Sequence, residues 1–442
     1  MKRGLPETAG SVLVVVLVIC LGLVSVTLLF GHSMAMTFRG ADNDVAARQA
    51  EQAIEGAARF AMTLMLNAET PGTLPDITTY ESEGVPVGEA TFWFLGQPDF
   101  TKNNNGPVLG FGLVDEASKL NLNTATMEML MVLPGMTEEL ASAIVDWRDD
   151  NDEVTGSTGA ESETYQRLQP PYTCKNAPFE SIEELALLNG ADRQLIYGED
   201  ANLNGALEPN EDDGDKTLPA DDSNGIVNSG IFSYLTCFSR EPTTQSDGTT
   251  GRINVTDAAS RQALQTLLEE KIPARAADIL AALGQTPATS VLDFSNRGAL
   301  TAEEYALIYD AIRGPQTEGL INVNTASEAV LACVPGIGAD KAQMLVAVRP
   351  TRDPITGTNW VGTVLDQAAI DQAGPFLTGR SYQVSADVAA VGRHGRGYRR
   401  ARLIIDLMEA TPRIVYRRNL SPLGWALGAD VRQMLAERKE IR

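Results

Sequence analysis

The stretch Ser11-Val12-Leu13-Val14-Val15-Val16-Leu17-Val18-Ile19-Cys20-Leu21-Gly22-Leu23-Val24-Ser25-Val26-Thr27-Leu28-Leu29-Phe30 carries no charged residue. As a helix rising about 1.5 Å per residue it is roughly 30 Å long, the depth of a bilayer's hydrocarbon core. Lys2 and Arg3 precede it, so the inward bias of basic residues places the N-terminus in the cytoplasm and everything after Phe30 outside. The run does not stop at a loop. It passes into Ala46-Ala47-Arg48-Gln49-Ala50-Glu51-Gln52-Ala53-Ile54-Glu55-Gly56-Ala57-Ala58-Arg59-Phe60, alanine-rich, free of proline and charged at helical spacing. One helix to about Asn67 is expected, membrane-spanning first and amphipathic after.

Two readings of the Gly10-Ser11 junction compete. One is an uncleaved signal anchor. The other is a prepilin-type leader, Met1 to Gly10, cut after Gly10 by a prepilin peptidase so that Ser11 begins the mature chain. A secretory signal peptide has a shorter apolar stretch followed by a small-x-small site, and Gly31-His32-Ser33-Met34-Ala35 is a poor version of one. The long continuous stem favours the prepilin reading.

The 442 residues include 35 Lys plus Arg and 58 Asp plus Glu, a formal charge of −23. Such a surface repels nucleic acid and suits cations. The two histidines, His32 and His394, lie far apart, which excludes a histidine-based zinc site or a Ser-His-Asp triad. No residue set supports catalysis. Cys20 falls in the membrane span and Cys333 in an apolar helix. Cys174 and Cys237 flank an acidic insertion and are candidate disulfide partners on the oxidising side.

Leu120-Asn121-Leu122-Asn123-Thr124-Ala125 recurs as Ile321-Asn322-Val323-Asn324-Thr325-Ala326, with a weaker copy at Ile253-Asn254-Val255-Thr256-Asp257-Ala258. The first and last copies continue through a helix to Leu133-Pro134-Gly135-Met136 and Val334-Pro335-Gly336-Ile337-Gly338, then a second helix. This is a helix-hairpin-helix pattern, with Thr124 and Thr325 as expected N-caps. Such hairpins often grip DNA phosphates. Only the last turn, Gly336-Ile337-Gly338-Ala339-Asp340-Lys341, suits that; the first continues Thr137-Glu138-Glu139. Packing modules are the better reading, and no nucleic acid is expected. Ser181 with Glu184 reads as a capping box. Strands are expected at Ala90–Leu95, Gly110–Asp115, Tyr382–Val391, Tyr398–Met408 and Arg413–Arg417, the last three as an antiparallel meander. Arg393, Arg396, Arg399, Arg400 and Arg402 read as the solvated turn and outer face of its hairpin.

Asp200-Ala201-Asn202-Leu203-Asn204-Gly205-Ala206-Leu207-Glu208-Pro209-Asn210-Glu211 fits a twelve-residue EF-hand loop. Asp200, Asn202, Asn204, the Ala206 carbonyl and a bidentate Glu211 would hold Ca2+, with Glu208 direct or through water. Gly205 permits the reversal, and Pro209 argues against a regular exiting helix. A solvated acidic loop of Asx-turns is the plainer alternative. Asp212, Asp213, Asp215, Asp221 and Asp222 are candidates for a second cation.

Taken together, the junction, Asp115-Glu116-Ala117-Ser118-Lys119-Leu120-Asn121-Leu122-Asn123-Thr124-Ala125, Ala143-Ile144-Val145-Asp146-Trp147-Arg148-Asp149, Pro170-Pro171-Tyr172 and Asn176-Ala177-Pro178-Phe179 resemble the K-type minor pseudopilins of type II secretion systems. The resemblance implies an α+β fold: an N-terminal transmembrane and amphipathic pilin-type helix, and an antiparallel pilin-like sheet interrupted by large helical insertions with helix-hairpin-helix repeats. It also implies calcium in the insertion, N-methylation of Ser11, and a single-pass inner-membrane protein, largely periplasmic, at the pseudopilus tip with I- and J-type minor pseudopilins and other pseudopilins. Val15 departs from ordinary pilins, which carry a glutamate there to pair with a neighbour's amine. An unpaired carboxylate in lipid is costly, and a tip subunit has no subunit above it; the K-type family is similar in lacking the glutamate. The expected division is leader 1–10, transmembrane 11–31, periplasmic stem 32–68, core 69–123, inserted domain with the calcium loop 124–230, and returning core strands 231–257. A second helical region at 258–379, a meander at 380–418 and a tail at 419–442 complete it.

Overall fold

The computed structural model describes residues 8–68, 70–98, 109–350, 357–409 and 411–440. A single helix spans Thr8–Leu66, and the segment Val12–Leu66 is long and apolar enough to cross a membrane. Residues 1–7 of the leader lie outside the described residues, while Gly10 and Ser11 lie in the first turns of this helix. The apolar side chains from Val12 to Phe38 are exposed. From Ala46 onward the helix has a core-facing stripe, with Ala46, Ala50, Ala53, Ala57 and Ala61 fully buried and Ile54 and Met65 beside them. Steps of three and four residues keep that stripe on one face.

The stripe lies on a six-stranded antiparallel sheet. Its order is Val85–Val87, Ala90–Leu95, Gln383–Gly392, Arg396–Asp406, Arg413–Asn419, with Val114–Asp115 pairing the start of Gln383–Gly392. Only two residues of the expected Gly110–Asp115 strand are extended in the ladder, since Gly112 takes a positive φ of 143°. Strand period two divides the side chains. Phe92, Phe94, Val384, Ala386, Val388, Leu403 and Ile405 pack on the stem, where Phe92 and Phe94 meet edge to face at 5.1 Å and Phe94 stacks on Phe60 at 6.2 Å. Trp93, Leu95, Ala389 and Val391 face the other way, against Ala426 and Leu427 of the C-terminal segment. Both faces of the central strand are therefore covered, and all ten of its residues are buried.

The arginine cluster is only partly solvated: Arg396 is exposed, Arg393, Arg399 and Arg402 are half-buried, and Arg400 is buried. Arg393 and Arg396 pair with Asp42 of the stem, Arg399 with Glu51, and Arg417 with Glu55. Arg400 is 1 % exposed and chelates Asp387. The hairpin's turn sits against the stem backbone: a Cβ on Gly392 would lie 2.0 Å from the Ala46 carbonyl oxygen, so only glycine fits.

Between Val114–Asp115 and Gln383–Gly392 the chain builds three tandem units, each opened by one copy of the sequence repeat. Leu120–Asn121 pairs in parallel with Leu235–Thr236, Ile253–Asn254 with Ile312–Arg313, and Ile321–Asn322 with Leu377–Thr378. In each copy the asparagine Oδ1 accepts the N–H two residues on, at Asn123, Thr256 and Asn324. That turn uses two residues before the helix can begin, which moves the caps. They are Thr126 and Ser327, not Thr124 and Thr325; Thr325 instead donates its hydroxyl to Asp115 at 2.6 Å. Residues 231–257, expected to return strands to the core sheet, supply short parallel ladders and the isolated antiparallel bridges Arg240–Glu318 and Thr244–Gly251.

The helix pairs Met127–Met131/Glu138–Arg148 and Glu328–Ala332/Gly338–Val348 share one core, with Leu130, Leu140 and Ile144 joined to Leu331, Ile337 and Leu345. Arg148 closes the first pair on the Leu122 and Ala125 carbonyls, and Arg349 closes the last on the Ala326 carbonyl. The middle unit has its own core of Leu264, Leu268, Ile279, Phe294, Tyr305 and Ile308. Glu184 accepts the Ser181 N–H as expected of the capping box, on a short 3-10 turn, Ile182–Leu187. The tail ends in a helix, Gly428–Glu440.

Candidate metal centre

The acidic loop closes on itself through its own carboxylates. Asp200 accepts the Asn204 N–H at 3.1 Å on Oδ1 and the Gly205 N–H at 2.8 Å on Oδ2. Glu211 accepts the Ala201 N–H at 2.9 Å and the Glu208 N–H at 3.0 Å. Asn204 Oδ1 accepts the Ala206 N–H at 2.8 Å, and its amide donates to Glu208 at 3.2 Å. Leu203 at φ 56° and Gly205 at φ 72° make the reversal. The loop thus brings together Asp200, Asn202, Asn204, Ala206, Glu208 and Glu211.

Asp200, Asn202, Asn204 and Glu211 are buried. Burial raises the carboxyls of Asp200 and Glu208 above their usual range. Burial, with Asp200 and Glu208 adding repulsion, pushes Glu211 up to about 8. The nearby Arg400 does not form the neutralising pair, because its guanidinium is directed to Asp387 and to the Asn202 and Leu203 carbonyls. Each carboxylate oxygen of Asp200 and Glu211 accepts one backbone N–H and keeps a further lone pair. Asn202 Oδ1 is buried with no hydrogen-bond partner. An orphaned oxygen among buried, repelling carboxylates fits a hard cation, which prefers such oxygen donors.

The five downstream aspartates behave differently. Asp221 accepts the N–H groups of Asp213, Gly214 and Ser223, Asp212 that of Gly225, Asp213 that of Thr217, and Asp222 that of Asn224. These, like Asp215, are exposed or half-buried. Among the described residues, the carboxylates that converge are instead Asp146, Asp149 and Glu161, whose ligand oxygens lie within 4.8 Å of one another and could hold a metal ion. Asp146 accepts the Thr155 N–H at 2.9 Å and the Ala160 N–H at 2.6 Å. Both Glu161 carboxylate oxygens are buried and unpartnered; the adjacent Cys174 thiol donates to the Asp146 carbonyl at 3.5 Å. Burial, then the Asp146 and Asp149 charges, push Glu161 up to about 7. The sequence reading missed this triad. Its signal was an aspartate, Asp146, buried on the apolar side of the helix Glu138–Arg148.

Raised carboxyls fix the sign of a pH effect. Glu161 and Glu211 have folded values above the usual 4.5, so the folded state holds more protons than the unfolded state between them. Their contribution to stability is complete below about 4.5 and is lost as pH rises through about 7 to 8. In EDTA the melting temperature should therefore fall between pH 5.5 and 8.5, and saturating Ca2+ should flatten that slope. An equal slope in both conditions would show that no cation meets these groups.

Cys174 and Cys237 are both free thiols. Burial pushes the Cys174 thiol up to about 12 and raises Cys237, which also faces Glu116 and Glu184. Neither is poised to react.

At the helix-pair turns Gly135, Gly338, Ala339 and Asp340 are exposed, while Gly336 is half-buried. A Cβ on Gly336 would meet Gln372 at 2.9 Å and the Ala369 carbonyl at 3.3 Å, and Lys341 donates back to the Gly336 carbonyl at 3.2 Å. Gly135 has Leu195 over it at 3.7 Å.

An apolar stem is laid on an antiparallel sheet, with helical units inserted between its strands. Residues 112–197 and 321–385 match two family models, each described as type II secretion system protein K. These two segments, about a third of the chain, are similar to that family. Comparison with solved structures includes a chain of "The Crystal Structure of the GspK-GspI-GspJ complex from enterotoxigenic Escherichia coli Type 2 Secretion System". It is 13% identical, with a TM-score of 0.40, and covers 84% of this chain and 96% of that one. No curated protein matches the chain.

Proposed function

We propose that this chain is the minor pseudopilin that caps or initiates the periplasmic pseudopilus of a type II secretion system. The observation that carries the reading is the apolar Thr8–Leu66 stem in a chain with two protein K segments. Prepilin peptidase cuts after Gly10, Ser11 is N-methylated, the stem spans the inner membrane with its start cytoplasmic, and the remainder is periplasmic. I- and J-type minor pseudopilins are its neighbours, as the complex of the solved relative suggests. Ca2+ occupies the Asp200–Glu211 loop, with Asp146, Asp149 and Glu161 as a second cation cluster. There the ion would tie an otherwise repelling set of carboxylates together and hold the insertion rigid. We read the two helix pairs as helix-hairpin-helix modules used for packing.

Purification of the tagged chain from native membranes tests this. The I- and J-type subunits should co-elute, and the mass of the chain should begin at Ser11 with one added methyl group. An intact Met1 and no pseudopilin partners would return the plain signal anchor. Salt-sensitive binding of duplex DNA would favour a DNA-binding tip pilin, the competing function for a chain with hairpin motifs.

A further inference from the structure

The acidic loop is fastened to a part of the chain more than two hundred residues away in sequence. Asn202 Nδ2 donates to the Trp425 carbonyl at 3.1 Å and Asn204 Nδ2 to the Ala426 carbonyl at 3.2 Å. Two alternate ligand positions of the loop thus hold two successive backbone carbonyls of the tail. An amide group has one donor end and one acceptor end. With Nδ2 turned to a carbonyl, each Oδ1 must point away from the tail, and Asn204 Oδ1 does so by accepting the Ala206 N–H. Asn202 Oδ1 is the buried oxygen without a partner.

The tail is itself firmly placed. Ala426 and Leu427 are buried on Trp93, Leu95, Ala389 and Val391. Trp425 packs on Tyr398 with ring centroids 5.0 Å apart, its Nε1 donates to the Gly428 carbonyl at 2.7 Å, and Arg432 lies over its ring. Leu420 donates its N–H to the Arg400 carbonyl at 2.9 Å, and the Arg400 side chain holds the Asn202 and Leu203 carbonyls from the sheet side. Loop, sheet and tail meet around the same asparagines.

We propose that the segment 420–428 is a positioning element of the cation loop: it orients the two neutral ligands, Asn202 and Asn204, so that tail docking and Ca2+ binding are coupled. This rests on the reading that the loop takes Ca2+. It also accounts for asparagine at both positions. In a free-standing loop aspartate would add charge and tighten calcium. Here an aspartate would set a carboxylate against a tail carbonyl, with no proton between them. Linkage makes the effect reciprocal: whatever docking gives to Ca2+ affinity, Ca2+ gives back to docking.

The test uses the full-length chain in detergent micelles, with Ca2+ titrated calorimetrically and amide exchange read by mass spectrometry. The loop's own ion is identified as the one lost in Glu211→Gln. Ca2+ should slow exchange at 425–428 about tenfold or more relative to EDTA. Asn202→Asp with Asn204→Asp should leave that segment exchanging fast with or without Ca2+. Leu427→Asp, which undocks the tail from the apolar side without touching the loop, should weaken the loop's ion about tenfold. Exchange at Val388 and Leu403 reports that stem and sheet remain folded in every variant. If the loop binds Ca2+ while 425–428 exchange equally in Ca2+ and EDTA, and Leu427→Asp keeps full affinity, the coupling is refuted and the calcium reading stands. Absence of any ion lost in Glu211→Gln refutes both.

Discussion

Chelating Ca2+ from the full-length protein is expected to lower its melting temperature by roughly 5–10 °C. An ion present at a hundred times its dissociation constant stabilises by about 2.7 kcal/mol, and domains of roughly 150–250 residues shift about 2–4 °C per kcal/mol. The physical source is local. Burial first, and then repulsion from Asp200 and Glu208, pushes Glu211 up to about 8. Replacing Asp200 and Glu211 together with alanine should abolish most of the difference between Ca2+ and EDTA, leaving only the share of Asp146, Asp149 and Glu161. Differential scanning fluorimetry in matched buffers measures it. A parent protein that melts at the same temperature in both would remove the loop as a cation site.

Asp387→Ala is expected to cost about 3–5 kcal/mol, the usual penalty for leaving a buried charge uncompensated. Asp387 receives Arg400 Nε and Nη2, both at 2.8 Å, and Arg402 Nε and Nη2 at 3.1 and 2.9 Å. Burial works against its charge, but the two guanidinium groups outweigh that and keep its carboxyl below the usual range. With a depressed folded value, its contribution is present above the unfolded pKa of about 3.9 and fades as pH falls through the folded value. Removing it strands Arg400, whose side chain is fully buried between the sheet and the acidic loop. Urea denaturation should show the loss, with the loop's Ca2+ affinity falling as well, because Arg400 also fixes the Asn202 and Leu203 carbonyls. A change under 1 kcal/mol would mean that water and the Asn202 and Leu203 carbonyls suffice for Arg400.

The stem, the strand Ala90–Leu95 and the meander were legible because each rests on a period, 3.6 or 2, that one face of a buried element imposes on its own sequence. The turn of the acidic loop was legible for a similar reason: its Asp, Asn and Gly spacing is written within twelve residues. The failures share the opposite property. Arg400 alternates with Arg399 in a strand that reads as polar outside, and only its partner Asp387, on a different strand, shows which side it takes. Glu161 joins Asp146 and Asp149 only when the loop through Gly156 and Gly159 folds back. The caps moved from Thr124 and Thr325 to Thr126 and Ser327 because an Asx-turn, itself visible in Asn121 and Asn322, consumes the intervening residues. Partners set by tertiary closure leave no local period to read.

The alanine stripe of the stem has a mechanical consequence. Side chains as short as those of Ala46, Ala50, Ala53, Ala57 and Ala61 interlock little with the sheet beneath them, so the groove itself resists sliding weakly. Axial load must pass through the points where shape or charge breaks the smoothness: the backbone seat of Gly392 on Ala46 and the pairs from Asp42, Glu51 and Glu55 to the arginines of the hairpin. The Gly392 seat and the Asp42 pairs lie at the membrane end of the sheet-bound stem. A pull along the helix from the bilayer is therefore taken up in its first turns against the sheet, before it reaches the acidic loop or the tandem helical units.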